Sequence, residues 1–408
     1  GGAVGSDLDL DDLIGTLDTR LAAADAALAA RFPGERAERQ PVHTVYVPAD
    51  RYTDDLCAVW GAEAIAALDR DVDVFAELVG DDALRRRVRD KLATEPIEDL
   101  RIDFEDGYGA KPDDVEDRDV TTAATALGRS QRQGTAPPFH GIRIKSLEAP
   151  TRARGVRTLG RFLAALLDQG GRPGVITLPK VTSVDQVEAM SYALDELERR
   201  LGVDGLRFEI QVETPQSIIG ADGTAQVARM IHASGGRCSA LHYGTYDYSA
   251  FCGIAAEYQS LAHPVADHAK QVMQAAAAGT GVRLADGSTN VLPIGDNVRS
   301  GWQLHLDLVR RSLERGYYQG WDLHPAQLPS RFAATFLFYR AGFDRAAARL
   351  RAYTQDSDSA ILDEPATARA LADYLLRALN CGALSADEVH RAGGLDRADV
   401  VALARPGR

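Results

Sequence analysis

Eight short β-rich runs recur along the middle of the chain, and longer helical patterns separate them. The runs are residues 43–47, 100–104, 141–145, 175–179, 207–212, 239–243, 290–294 and 321–323. Amphipathic stretches lie between most of them, 54–78 and 184–201 being clear examples. Strand alternating with helix implies right-handed crossovers and a parallel sheet. Eight such units fit an α/β fold of the (β/α)8, or TIM, barrel type. The rival is an open doubly wound sheet. No GxGxxG follows a strand and no GxxxxGK[ST] occurs, so that rival lacks its usual phosphate loop.

Three parts follow from this pattern. Residues 1–42 form an N-terminal helical arm, with a helix at 8–31. Residues 43–330 form the barrel. Residues 331–408 form a helical C-terminal extension, where 332–350, 365–379, 385–391 and 396–404 are apolar at three-to-four spacing. Gly382 and Gly393-Gly394 mark its turns.

Composition narrows the function. The chain of 408 residues is 45% hydrophobic and 26% charged, an ordinary globular profile. A net charge of −13 argues against nucleic-acid partners, which require a basic face. No apolar run is long enough to cross a bilayer. The start, Gly1-Gly2-Ala3-Val4-Gly5-Ser6, has neither the basic nor the apolar part of a signal peptide. Cys57, Cys238, Cys252 and Cys381 show no CxxC spacing, which fits a cytoplasmic protein without a zinc site or disulfide frame.

In a parallel barrel the chemistry sits at the strand exits. The second run leads into DFEDGYG, with Asp103, Glu105 and Asp106. Arg143 and Lys145 end the third, in GIRIKS, and Lys180 follows the fourth, in LPKVTS. Gln211 and Glu213 close the fifth, in FEIQVETPQSIIG. His242 and Asp247 belong to the sixth, in LHYGTYDYSAFCGI, and Asp322 and His324 to the eighth, in WDLHPAQ. Charges gathered at one rim are costly to desolvate unless paired or metal-bound. Glu213 and Asp247, one strand–helix unit apart, suit a hard cation such as Mg2+ that keeps water or substrate oxygens in its other positions. The alternative is that these acids cap helices. His242, inside its strand, reads as a hydrogen-bonded core histidine more readily than a base. His324, before Pro325, falls at the mouth, where it is either a rim residue that positions substrate or a bystander. The basic run 151–161, with Arg152 and Arg154, is either a solvated helix face or a clamp for CoA phosphates or a substrate carboxylate.

These motifs, in order and spacing, resemble the HpcH/HpaI aldolase/citrate lyase family over roughly residues 43–330, in its citrate lyase β-subunit-like and malyl-CoA lyase-like branch. VETPQSIIG resembles the metal-binding glutamate strand, GTYDYSAFCGI the second metal segment, and IDFEDGYG the acidic pair. GIRIKS resembles the catalytic arginine strand, LPKVTSVDQV the fourth strand, WDLHPAQL the closing His-Pro segment, and YVPADR the first strand. The resemblance implies an oligomeric barrel that makes or breaks a carbon–carbon bond with Mg2+ or Mn2+. It assigns the metal to Glu213 and Asp247, substrate contact to Arg143, and support of the metal's water to Glu105 and Asp106. VPADRY has no histidine at the first exit, unlike aldolases of the 2-oxo-acid branch, and leaves the base unassigned.

The expected function is a divalent-metal-dependent lyase acting on a hydroxy acid or its CoA thioester through a metal-stabilised enolate. Arg143 would supply a fixed cation at the developing charge. Two alternatives remain. Lys145 or Lys180 could act as a Schiff-base nucleophile, or the barrel could be a non-catalytic binding module.

Overall fold

The computed structural model describes residues 8–355 and 363–406. The glycine-rich start lies outside them. The arm is one helix, α1 (Asp11–Arg31). Next, β1 (His43–Pro48) leads through α2 (Leu56–Arg70), α3 (Val72–Leu78) and α4 (Asp82–Thr94) to β2 (Asp99–Asp103). After it come α5 (Asp113–Gln133), β3 (Phe139–Arg143), α6 (Arg152–Asp168), β4 (Val175–Leu178), α7 (Val184–Leu201) and β5 (Phe208–Val212). Two helices, α8 (Pro215–Ile218) and α9 (Gln226–Ala233), precede β6 (Cys238–Tyr243). Two more, α10 (Thr245–Phe251) and α11 (Pro264–Ala277), precede β7 (Arg283–Ala285). Helix α12 (Val298–Glu314) leads to β8 (Gly320–Asp322). The chain continues with α13 (Leu328–Ala341), α14 (Phe343–Gln355), α15 (Pro365–Cys381), α16 (Ala386–Gly393) and α17 (Arg397–Ala404).

The strands bond in the order β7-β6-β5-β4-β3-β2-β1-β8, every pair parallel. A bridge between Ala285 and Gln319 joins β7 to β8, with Asp286 N–H donating to Gln319 O at 2.7 Å. The sheet is thereby closed into a (β/α)8 barrel with an N-terminal helix and a helical extension. Three local expectations fail, one of them the helix expected at 332–350, which divides between α13 and α14 at Gly342. The seventh strand is not 290–294 but β7, and 290–294 is loop; Pro293 has no N–H to give a ladder. The helix expected at 54–78 divides between α2 and α3 at Asp71.

Alternation along the strands sorts the side chains into two layers. Val45, Val47, Leu100, Ile102, Ile142, Ile176, Leu178, Phe208, Ile210 and Leu241 are buried in the apolar core that the surrounding helices cover. The other face fills the lumen. Arg101 of β2 reaches Glu209 of β5, and Arg143 of β3 reaches Gln211 of β5, between strands that are not neighbours. Bulky branched residues dominate the lumen of most such barrels; here it is largely polar and charged.

The extension is tied back at several places, among them Arg405 Nε donating to Arg36 O at 3.0 Å. Glu388, in the capping box of α16, takes Arg87 of α4 at 2.8 Å and Arg340 of α13 at 2.9 Å. Arg377 of α15 donates to Gln40 Oε1 at 2.7 Å, and Gln40 Nε2 donates to Leu284 O and to Gln319 Oε1, both at 3.1 Å. Helix α13, which straddles residue 330, is buried along most of its length. Helix α1 buries no residue.

Candidate active site

The DFEDGYG turn at the exit of β2 is built around Asp103. Its carboxylate accepts the Glu105 and Gly107 N–H groups, each at 2.9 Å. A side chain at 107 would come within 2.6 Å of Asp103 Oδ2, so glycine is required there. Asp103 also receives the Arg143 fork, Nε at 2.7 Å and Nη2 at 2.6 Å. Arg143 Nη1 donates to Gln211 at 3.1 Å and lies 3.5 Å from Glu105 Oε1. The guanidinium stacks on Tyr46, 4.8 Å from the ring centre, with Trp321 beyond. Burial alone would lower the Arg143 pKa; Asp103 and Glu105 more than reverse this, and it stays a permanent cation.

Lys180 follows β4 with φ +51°, among the described residues the only non-glycine with positive φ. Such a backbone costs of order 1 kcal/mol or more and persists where the surroundings enforce it. Its ammonium lies among four carboxylates. It bonds Glu105 closely and Asp106 at 2.9 Å, and lies 3.5 Å from Glu213 Oε1 and 3.7 Å from Asp247 Oδ2. Burial opposes the charge, but Glu213 and Glu105 hold the Lys180 pKa far above its ordinary value.

Glu213, at the exit of β5, is fully buried, and both its oxygens lack a hydrogen-bond partner. Burial pushes its carboxyl well above the ordinary range; Lys180 opposes this, and Glu105 and Asp247 reinforce it. Gly244 makes the space, since a side chain there would meet Glu213 Cβ at 2.6 Å. Glu105 Oε1 is a third buried acceptor without a partner, and burial likewise raises the Glu105 carboxyl. Asp106 is exposed; Lys180 overcomes the desolvation effect there and lowers its pKa. Asp247 lies half-exposed in the first turn of α10 rather than on a strand.

Unpartnered buried acceptors fit a hard cation. A carboxylate oxygen can only accept, and leaving it buried without a donor is costly. Glu213 and Asp247 would hold a divalent ion on two sides, with Glu105 close by. Among the described residues, no group of three or more His, Cys, Asp or Glu is gathered as a ready cage. Mg2+ suits such an open arrangement, because it keeps several water or substrate oxygens.

Other expected residues have other partners. Lys145 donates to Phe104 O at 2.6 Å and pairs with Glu116 at 2.5 Å. Arg154 is held by Glu116 at 3.1 Å and Asp117 at 2.6 Å, both on α5. Arg152 Nε donates to Leu147 O at 3.0 Å. His324 caps the turn after β8, its Nδ1 accepting Ala326 N–H at 3.0 Å, and burial lowers its pKa. His242 is a buried lumen residue, as its strand position suggested, between Trp321 Nε1 at 3.1 Å and Glu209 at 2.9 Å. Asp322 does not face the rim. It is wholly buried with Arg331, His43 and His305, where it ties β8 to β1, α12 and α13. Tyr46, on which the arginine stacks, and Trp321, which packs against Tyr46, carried no sequence signal beyond being aromatic.

A family described as a domain of unknown function, DUF6986, matches residues 21–407. The chain belongs to that family. No curated protein matches it in sequence. In structure it is similar to malate synthase from Haloferax volcanii. The pyruvate/acetyl-CoA ternary complex of that enzyme gives 12% identity over 85% of this chain and 83% of that one, with a TM-score of 0.53. Its magnesium/glyoxylate complex gives 14% over 92% and 100%, with a TM-score of 0.51. A protein of the HpcH/HpaI aldolase/citrate lyase family from Burkholderia cenocepacia is similar at 16% over 74% and 93%, with a TM-score of 0.41. At these identities the likeness to the malate synthase is one of fold. Among the described residues no helix is long and apolar enough to cross a membrane, and the four cysteines form no disulfide.

Proposed function

We propose that this family member is a divalent-metal-dependent enzyme that makes or breaks a carbon–carbon bond in a small carboxylate or its CoA thioester. One observation carries the reading: buried Glu213, both oxygens unpartnered, beside Asp247, Lys180 and Arg143. Mg2+ or Mn2+ bound there would supply Lewis-acid charge where an enolate oxygen develops. The malate synthase of like fold is described with magnesium and glyoxylate, and with pyruvate and acetyl-CoA.

The chain's own groups divide the remaining work. Arg143, fixed by Asp103 and two aromatic rings, presents a preorganised cation to a substrate carboxylate or carbonyl. Glu105, with a raised pKa and a free Oε1, can hold a proton at that oxygen. Asp106 remains a charged, exposed acceptor. Neither lysine is a free amine. Lys145 is paired with Glu116, and Lys180 is kept protonated by its carboxylates, which disfavours Schiff-base chemistry.

The reading implies that Glu213→Gln and Asp247→Asn each weaken Mn2+ binding by roughly a hundredfold, on the scale of about 1.4 kcal/mol per factor of ten. Titration followed by electron paramagnetic resonance would measure this. Methyl-proton exchange of pyruvate and of acetyl-CoA in D2O, with Mg2+ and with EDTA, tests the chemistry. Unchanged metal affinity in both variants would sink the proposal.

A further inference from the structure

The opposite end of the lumen holds a second charged cavity, which the proposed chemistry does not use. It measures about 390 Å³, within the range of about 300–1,000 Å³ typical of small-molecule sites. Arg36, Arg39, Arg101, His140, Arg207 and Arg283 line it, at the N-terminal ends of the strands and in the segment leading into β1. In a chain of net charge −13 such a grouping has to be explained.

Two of the arginines are held in ion pairs. Arg101 pairs with Asp99 at 2.8 Å and Glu209 at 2.7 Å. Arg39 pairs with Glu95 at 2.5 Å and Glu98 at 2.9 Å. Most acids near the cavity are therefore spent; exposed Glu38 lies a loose 3.5 Å from Arg36, and exposed Glu35 acts on Arg36 and Arg283 only through its charge. Arg283 is 7% exposed and meets only backbone carbonyls, those of Arg36 at 3.4 Å and of Glu38. Arg207 has no side-chain hydrogen bond and no ion pair among the described residues.

The unsatisfied atoms share one chemical character. Nε of Arg36, Arg39, Arg207 and Arg283, and Nδ1 of His140, are buried with no partner. Gln131 uses Oε1 to accept Arg172 N–H and Nε2 to donate to Arg172 O, so Nε2 also donates to His140 Nε2. His140 therefore carries its proton on Nδ1. Every unpartnered atom among the residues that line the cavity is thus a donor. Burial and mutual repulsion press on the cations: Arg283 is pushed down to about 9 by burial, then by Arg36 and Arg377, and still remains charged at neutral pH. Buried donors without acceptors and cations without counter-ions are both costly, and one ligand relieves both.

We infer that this cavity binds a phosphate-type dianion, either free phosphate or the phosphate group of a small ester. Guanidinium forks match phosphate oxygens, and such charge-assisted bonds are about twice as strong as neutral ones. Arg36, Arg207 and Arg283 supply the positive charge, and His140 adds a neutral donor.

The test is calorimetric titration of the full chain with sodium phosphate and with glycerol 3-phosphate. EDTA is present, so that no metal recruits phosphate to the rim, and chloride at equal ionic strength is the control. Saturable binding is expected in wild type. Tighter binding of the ester would assign a phosphorylated compound, and tighter binding of phosphate would assign the free ion. Arg207→Gln should weaken binding by roughly tenfold or more, and Arg36→Gln by a smaller factor. Because Arg207 has no partner to lose, the ligand-free melting temperature of its variant should be unchanged or higher. Failure of both ligands to saturate at low millimolar concentration would overturn the inference. So would undiminished binding in both variants, or a ligand-free Arg207→Gln that melts lower.

Discussion

The two ends of the lumen are electrostatic opposites. At the C-terminal rim the buried unpartnered atoms are the acceptors of Glu105 and Glu213; at the N-terminal floor they are the donors of four arginines and His140. Between them the charges are matched. Arg143 is locked to Asp103, and Arg101 lies between Asp99 and Glu209. Paired charges in the middle hold the barrel together, and the mouths hold buried polar atoms without hydrogen-bond partners. An ion pair alone is weak evidence of function, since buried pairs are common structural devices. Unmatched groups of one kind, gathered at one place, say more.

That contrast can be broken or sharpened by substitution. The largest effect is expected for Arg101→Met, which leaves two buried carboxylates without their cation. Breaking a buried pair from one side costs about 3–5 kcal/mol, measurable by urea unfolding. A loss under about 1 kcal/mol would mean that the floor arginines take over Asp99 and Glu209, and that the two ends are not insulated. Next comes Lys180→Met. Removing the ammonium from among four carboxylates should tighten Mn2+ binding by roughly tenfold, about 1.4 kcal/mol. Weaker binding would show that the lysine assembles the cation site rather than competing with the ion.

The smallest effect concerns pH. Burial, then Arg101 and Arg172, hold His140 down to about 4, against 6.5 in an unfolded chain. Between those values the unfolded chain takes up a proton that the folded one does not. Wild-type stability should therefore fall as pH drops from 6.5 toward 4, relative to His140→Gln, and the two should run parallel above 6.5. Parallel curves throughout would place His140 outside the positive field of the floor.

Much of the rim could be read from sequence, because strand exits are local. FEIQVE places Gln211 and Glu213 on one face by alternation, and DFEDG announces a tight acidic turn. The floor could not be read in the same way. Arg283 lies in a three-residue strand that the sequence pattern placed at 290–294, so its inward position was hidden. Arg36 comes from an irregular segment, and only the closed barrel brings it to Arg207. Arg101 and Glu209 alternate with apolar residues, a pattern that normally marks a solvated sheet face; closure turns that face into a lumen. Arg154 looked available because α5, which supplies its acids, is remote in sequence.

The closure itself has an uneven strength. Strands β7 and β8 are three residues each and meet through a single bridge, whereas β1 and β2 share four registered pairs. The barrel thus has a zip that is short on one side, and Gln40, clamped by Arg377 of the C-terminal extension, is the stitch across it. Segments with few ladder bonds open first in native-state hydrogen exchange. Helices far along the chain therefore govern how readily this wall breathes: releasing α15 should speed amide exchange at 283–287 and 319–321 while leaving β2 to β5 protected.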